Sequence, residues 1–309
     1  MIVVFGSINL DLVAEVDRFP HPGETVAGNS FAALPGGKGA NQALAARRAG
    51  ASVAMAGAVG KDAFAATTLA GLLEAGVDLA WVRQVDAPTG IALIHVDGQG
   101  QNSITVIPGA NGRVLASAIP DAALGPATTL VLQLEVPLAA VGDAAARARR
   151  LGARVVLNAA PARDLPDTLV STLDVLIVNE HEAAMLATRS GASSEPGAFA
   201  TAMHRRHGCT VIVTLGARGA LAVVDANVIC AAAPPVEVVD TTSAGDAFTG
   251  ALAAALDRRA AWPRALAEGV AAGSLACRNK GAQAALPTAA AIARLAATVE
   301  SHLVFHTIE

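Results

Sequence analysis

Asp240-Thr241-Thr242-Ser243-Ala244-Gly245-Asp246-Ala247-Phe248-Thr249-Gly250-Ala251 passes from a turn of small residues into a helical pattern, with Asp246 in the first helical turn. A helix start presents unpaired backbone N–H groups and a partial positive charge, so it can hold a phosphate, and a carboxylate beside it can accept a proton. Together they point to phosphoryl transfer onto a hydroxyl.

Outward from that stretch, short β-branched runs at 2–5, 53–58, 129–134, 155–157, 175–178 and 211–215 alternate with helical patterns at 40–49, 64–75, 139–150, 180–187 and 198–207. This alternation predicts an α/β fold with a mostly parallel sheet covered by helices on both faces. After residue 240 the chain reads as helical, through 244–256, 263–278 and 288–299. Residues 10–34 and 90–107 interrupt the pattern as strands without helices. They are expected to form a small separate sheet that covers a site or pairs with a second copy. No linker or internal repeat divides the 309 residues, so residues 1–309 are read as one domain with this lid inserted in it.

Composition narrows the function. The formal net charge of −4 and the lack of a concentrated basic face speak against nucleic acid as a partner. Three scattered cysteines without a CxxC indicate neither a disulfide framework nor a zinc cluster, so a reducing cytoplasm is expected. The first eleven residues read as a strand and not a signal peptide, and no uncharged apolar run is long enough to span a membrane. Arginine outnumbers lysine 19 to 3, which draws attention to Lys38, Lys61 and Lys280, all flanked by glycine.

Gly36-Gly37-Lys38-Gly39-Ala40-Asn41-Gln42 is a second candidate for phosphate or sugar, because adjacent glycines let the backbone approach a ligand where a helix begins. It fits neither a Walker A loop nor the dinucleotide fingerprint, which speaks against a nicotinamide-dependent oxidoreductase. Asn9 and Asp11 either hold neighbouring sugar hydroxyls or form an Asx turn. Glu135 places a carboxylate at the end of an apolar run, where open α/β sheets bind ligands, or is simply a solvated strand end. Asn179-Glu180-His181-Glu182 reads first as an N-cap with acidic first-turn residues. Thr214-Leu215-Gly216-Ala217-Arg218-Gly219 is a tight turn closing a strand.

Taken in order, these segments resemble the ribokinase family within the PfkB-type sugar kinases. The match includes Gly6-Ser7-Ile8-Asn9-Leu10-Asp11, Phe19-Pro20-His21-Pro22-Gly23-Glu24-Thr25, residues 36–41, Leu132-Gln133-Leu134-Glu135, residues 158–163, 179–182 and 214–219, residues 240–248, and Lys280-Gly281-Ala282-Gln283. The resemblance implies a three-layer α/β/α fold with a small β-sheet lid, and ATP-dependent phosphorylation of the 5-hydroxyl of D-ribose. Asp246 would be the catalytic base, and the amides of Ala244 and Gly245 the anion hole. The sugar would rest on Asn9, Asp11, Gly37, Lys38, Asn41, Glu135 and Asp246. Nucleotide would lie along Asn179, Thr214, Gly216, Gly219 and Gly245, with Glu182 placing Mg²⁺ through water. A monovalent cation, K⁺, would sit among Asp240, Thr242, Ala276, Asn279 and Gly281, and two copies would pair through the lid.

Two departures stand out. Ser243 replaces the family's common glycine, and Ala285 stands where a serine often faces the cation. The alternatives are a related kinase for another sugar or a nucleoside, such as fructose or adenosine, and a catalytically silent sugar-binding regulator. Few aromatic residues are on hand to stack a nucleoside base, and intact Asp246 and Gly245 speak against the regulator.

Overall fold

Strand β1 (Ile2–Phe5) has no exposed side chain. Ile2 and Val4 enter one hydrophobic core, Val3 and Phe5 the other, so the strand lies between two helical layers. The computed structural model describes residues 1–190 and 193–307.

From β1 the chain forms β2 (Asn9–Val16), β3 (Gly28–Gly36), α1 (Lys38–Arg48), β4 (Val53–Val59), α2 (Ala63–Glu74), β5 (Asp78–Gln84), β6 (Gly90–Val96) and β7 (Asn102–Ile107). Short 3-10 turns lead to β8 (Thr129–Leu132), α3 (Leu138–Arg150), β9 (Arg154–Asn158), α4 (Asp167–Val170), β10 (Val175–Asn179), α5 (Glu180–Ser190), α6 (Pro196–His207) and β11 (Thr210–Thr214). The hairpin β12 (Ala220–Val224) and β13 (Asn227–Ala231) precedes α7 (Ala244–Asp257), α8 (Trp262–Ala276), α9 (Ala289–Glu300) and β14 (Val304–Thr307).

The ten-stranded sheet has the order β14-β13-β12-β11-β10-β9-β8-β1-β4-β5. Strands from β5 through β11 run parallel, and β12 to β14 extend the edge antiparallel. Helices α1, α2, α7, α8 and α9 contribute to one core, and α3, α5 and α6 to the other. The chain leaves β1 towards β4 on one side and β8 towards β9 on the other. The crevice beyond the carboxyl ends of β1 and β8 is therefore a switch point, where such sheets bind ligands.

Helix α7 is buried over most of its length and packs closely on α1. A Cβ at Gly250 would lie 2.5 Å from Ala45 Cβ and 2.8 Å from the Gln42 carbonyl oxygen. Gly250 thus lets the helices meet, and one turn earlier α7 brings Asp246 against α1.

A second, four-stranded sheet has the order β3-β2-β6-β7, built from the two segments that interrupt the sequence alternation. β2 and β6 run parallel, with Asn9 opposite Gly90. Its outer strands leave apolar side chains in solvent, with Phe31 68%, Ile104 53% and Val106 46% exposed.

Four strands escaped the sequence reading. β5 carries Asp78 and Arg83 at the edge of the parallel run. The β12–β13 hairpin turns at Asp225-Ala226, with Asp225 at φ 50°, and so lacks the Asn-Gly or Asp-Gly signal. β14 is four exposed residues on the outer edge. Among the described residues no helix is long and apolar enough to cross a membrane, and Cys209, Cys230 and Cys277 are free thiols.

Candidate active site

The registers of β1, β8, β9, β10 and β11 bring their carboxyl ends to one edge of the sheet. Phe5 pairs with Leu132, Leu132 with Leu157, Asn158 with Ile177, and Asn179 with Thr214. Asn9, Glu135, Asn179 and Thr214 therefore lie at or just beyond one edge, although they are spread over two hundred residues of chain.

The two glycine-rich helix starts differ in what they leave free. At α1, the Lys38 amide donates to Glu135 Oε2 at 2.9 Å, Gly39 to Ser7 Oγ at 3.2 Å and Ala40 to the Ser7 carbonyl at 2.9 Å. Ser7 Oγ also donates to Glu135 Oε2, at 2.6 Å. Protein groups thus satisfy the first amides of α1, and this start has little left for a phosphate. At α7, no side chain among the described residues caps the helix. The Ala244 amide donates to the Thr241 carbonyl at 3.2 Å, while among the described residues the Gly245 and Asp246 amides have no protein acceptor.

The glycines at the two starts differ in what they do. Gly37 has φ 88°, and a Cβ there would lie 2.7 Å from the Asn9 amide nitrogen, so the backbone itself demands it. A Cβ at Gly245 would meet nothing within 4 Å. The fold does not need glycine at 245, and the space beside it is open to a ligand.

Asp246 is only 5% exposed. Its Oδ2 accepts from Asn41 Nδ2 at 3.1 Å and its Oδ1 from Gln42 Nε2 at 2.9 Å. Asn41 Nδ2 also donates to Ser243 Oγ at 3.2 Å, leaving the buried Asn41 Oδ1 unpaired and available to a hydroxyl. Ser243 adopts the left-handed conformation, φ 61° and ψ 9°, where the family's glycine would sit without strain.

On β2, Asn9 and Asp11 are two apart and share a face. Asn9 Oδ1 accepts from Asn111 Nδ2 at 2.7 Å, and Asn111 also bonds the Ile8 amide and carbonyl, at 2.9 and 3.1 Å. Asn111 thus aims the amide nitrogen of Asn9 away from itself. Burial, then the negative charges of Glu135 and Asp246, push the Asp11 carboxyl up to about 7 against the pull of Lys38. Asp246, ahead of Glu135, Glu182 and Asp11, holds the Lys38 ammonium above its ordinary value even though burial opposes it. These linked shifts bring Asp11, Lys38, Glu135, Glu182 and Asp246 into one electrostatic cluster.

Asn179 and Glu182 cap α5 reciprocally. The Asn179 amide donates to Glu182 Oε2 at 2.7 Å, and the Glu182 amide to Asn179 Oδ1 at 2.8 Å. Each side chain keeps one polar atom for another partner. Burial raises the Glu182 carboxyl, opposed by the Asn179 amide and Lys38. Beyond Thr214, the turn is closed by Leu215 N–H to the Gly219 carbonyl at 2.8 Å, with Gly219 at φ 98°. Arg218 pairs with Glu180 across this edge.

Asp240 joins two loops. Its Oδ1 accepts from the Thr242 amide and hydroxyl at 2.9 and 2.6 Å, and its Oδ2 from the Gly281 amide at 2.9 Å. Burial would raise this carboxyl, but the bonds from Thr242 and Gly281 and the charge of Lys280 hold it below the usual range. Lys280 pairs with Glu15 on lid strand β2 at 2.7 Å, tying this loop to the lid. Ala285 is buried. A carboxylate beside a hydroxyl, as at Asp240 and Thr242, is donor chemistry of the kind a hard cation takes, although both Asp240 oxygens already accept protein hydrogen bonds; among the described residues no group of three or more His, Cys, Asp or Glu side chains is placed to hold a metal.

Ser7, Gln42, Asn111, Asn158 and Ser243 had no role from sequence. Four lie inside or beside motifs that the sequence singles out, but their contacts run between distant segments. Asn111, in Gly109-Ala110-Asn111-Gly112, gave only a turn signal. A cavity of about 610 Å³ opens at the opposite, amino-terminal edge of the sheet beside Thr129, Arg154 and Asp174, away from all these residues.

A buried carboxylate beside an open helix start, at the switch point of a parallel sheet and facing a small separate sheet, defines an α/β phosphotransferase. The chain belongs to the pfkB family of carbohydrate kinases, whose model matches residues 1–289. It is 36% identical to a ribokinase of Haemophilus influenzae over 291 residues, covering 93% of this chain and 95% of that protein. Its structure superposes on ribokinase from Thermotoga maritima with TM-score 0.88 at 32% identity, and on Arabidopsis thaliana ribokinase, solved with ribose and ATP, with TM-score 0.86 at 31% identity. Both alignments cover 96% of this chain and 98% of the other.

Proposed function

We propose that this chain transfers the γ-phosphoryl group of ATP to the 5-hydroxyl of D-ribose, giving ribose 5-phosphate and ADP. The observation that carries this reading is the asymmetry of the two helix starts: α1 is closed by Ser7 and Glu135, whereas α7 presents open amides beside the buried Asp246. Ribokinases of Haemophilus influenzae, Thermotoga maritima and Arabidopsis thaliana, each about one third identical to this chain, support ribose as the acceptor.

Asn9, Asp11, Gly37, Lys38, Asn41 and Glu135 hold the sugar beneath the lid, with the 5-hydroxyl towards Asp246. The oxygen of that hydroxyl bonds to the γ-phosphorus as the bond to the bridging oxygen of ADP breaks, and Asp246 takes the hydroxyl proton. In-line positioning and charge stabilisation carry most of the rate, because little negative charge develops on the hydroxyl before the phosphoryl group moves. The anion hole is formed at Ala244 and Gly245, with the Gly245 amide open and that of Ala244 shared with Thr241. The nucleotide lies along Asn179, Thr214, Gly216 and Gly219.

Glu182 keeps one oxygen outside its cap and would help hold Mg²⁺ through water, the ion supplying neutralising charge for the phosphates of ATP. K⁺ would be held by the Asp240 carboxylate with carbonyl oxygens of Thr242, Ala276, Asn279 and Gly281. The exposed apolar residues of the lid favour pairing of two copies there, and free thiols suit a cytoplasmic location.

The competing acceptors are another sugar or a nucleoside. A panel of sugars and nucleosides with ATP, with the phosphorylated position assigned by NMR, tests the reading. Ribose 5-phosphate as the preferred product is expected; preference for a nucleoside, or no ATP consumption with any acceptor, would overturn it.

A further inference from the structure

Gln42 is completely buried, yet among the described residues its side-chain oxygen has no hydrogen-bond partner. Its nitrogen is fully used. Nε2 donates one hydrogen to Asp246 Oδ1 at 2.9 Å and the other to Asn158 Oδ1, at the end of β9, at 3.1 Å. Asn158 Nδ2 in turn reaches the Ile177 carbonyl on β10 at 3.4 Å. The amide orientation follows from chemistry, since reversing it would set oxygen against two acceptors.

The amide leaves its own buried oxygen unpaired, at a cost in stability, while it supplies donors to the buried Asp246 Oδ1 and Asn158 Oδ1. What it does is bind one oxygen of Asp246 to the sheet edge through Asn158, while Asn41 binds the other. Gly250, by letting α7 approach α1 at Gln42 and Ala45, keeps that donor within reach.

We infer that Gln42 is a positioning residue for phosphoryl transfer, fixing the rotation of the Asp246 carboxylate so that one lone pair faces the acceptor hydroxyl. The inference rests on the assignment of Asp246 as the base. Gln42, being fully buried, acts through Asp246 alone, whereas Asn41 is also placed to touch the sugar. A carboxylate free to turn populates the productive orientation for only part of the time, which lowers turnover and leaves ground-state binding intact.

The test is Gln42→Leu, with Gln42→Met as a second near-isostere should the first fail to fold, each in the parent and in an Asp246→Asn background. In the parent, kcat is expected to fall about 10- to 100-fold, the scale of a misplaced catalytic group. The KM values for ribose and ATP should stay within about threefold, while the melting temperature should fall by a few degrees because Asp246 Oδ1 and Asn158 Oδ1 lose their donor, so rates are compared well below it. In the Asp246→Asn background the same substitution should cost less than about twofold, because residues acting as a unit are not additive. A kcat within threefold of the parent, a matching rise in ribose KM, or an equal loss in both backgrounds would overturn the inference. An Asp246→Asn enzyme as fast as the parent would instead remove the base assignment beneath it, an outcome that Gln42→Leu alone does not produce.

Discussion

Gly250→Ala adds a single carbon at the contact between α1 and α7. That carbon would lie 2.5 Å from Ala45 Cβ, 2.7 Å from the Ala46 nitrogen and 2.8 Å from the Gln42 carbonyl oxygen. Non-bonded carbons rest at about 3.5 to 4 Å, so the helices must part by about 1 Å. Overpacking of this kind costs about 1–3 kcal/mol, offset by up to about 1 kcal/mol from the better helix propensity of alanine. A net loss of about 1–2 kcal/mol is expected in urea unfolding. The same displacement stretches the bonds from Asn41 and Gln42 to Asp246, now 3.1 and 2.9 Å, beyond hydrogen-bonding range. Turnover should fall about tenfold or more in an ADP-release assay. Gly142→Ala in α3 is the control, because a Cβ there meets nothing within 4 Å. It should stabilise by about 0.5–1 kcal/mol and leave kcat alone. A Gly250→Ala protein that gains stability as Gly142→Ala does, with full turnover, would refute the reasoning.

Asp11, lifted to about 7, gives a pH signature. With its ionised form as the proposed acceptor of sugar hydroxyls, ribose KM should rise up to about tenfold per unit as pH falls below 7 and be flat above 8, with Asp11→Asn flattening the profile. Stability runs the other way: the folded chain holds a proton between pH 4 and 7 that the unfolded chain has lost, so ionising Asp11 destabilises as pH rises. Asp11→Asn should therefore be more stable than the parent at pH 8 but not at pH 4, and equal ribose KM values at pH 6 and 8 would count against this account. Ser243→Gly relieves a left-handed strain of about 1–2 kcal/mol and gives up one hydrogen bond to Asn41, so kcat should stay within about threefold; a tenfold loss would give the hydroxyl a part in the chemistry. Turnover in K⁺ should exceed that in tetramethylammonium several-fold, and Asp240→Ala should erase the difference, whereas equal rates in the parent would rule out a cation at this site.

Much of the fold was legible because the buried parallel strands are nearly continuous apolar runs and the helices between them are long and alanine-rich. The lid was legible as two stretches where that rhythm fails. β12 and β13 were not, because a turn at Asp225-Ala226 carries no glycine and their apolar run has no periodicity to separate strand from helix. At the site, Asp246, Asn41 and Glu135 could be named from motifs, but their partners could not. Ser7 meets Glu135 across 128 positions and Gln42 meets Asp246 across 204, pairings that exist only once the sheet and α1 are in place. The Asn179 cap was visible because it belongs to one helix start, whereas Glu182 read only as a first-turn acid and its bond back to the Asn179 amide did not show.

The central claim is that Asp246 takes the proton of the hydroxyl that receives the phosphoryl group. Asp246→Asn keeps the size of the side chain, so ribose binding measured by calorimetry should remain within several-fold while kcat falls by about two to four orders of magnitude. Turnover near that of the parent, or loss of ribose binding as large as the loss of rate, would contradict it.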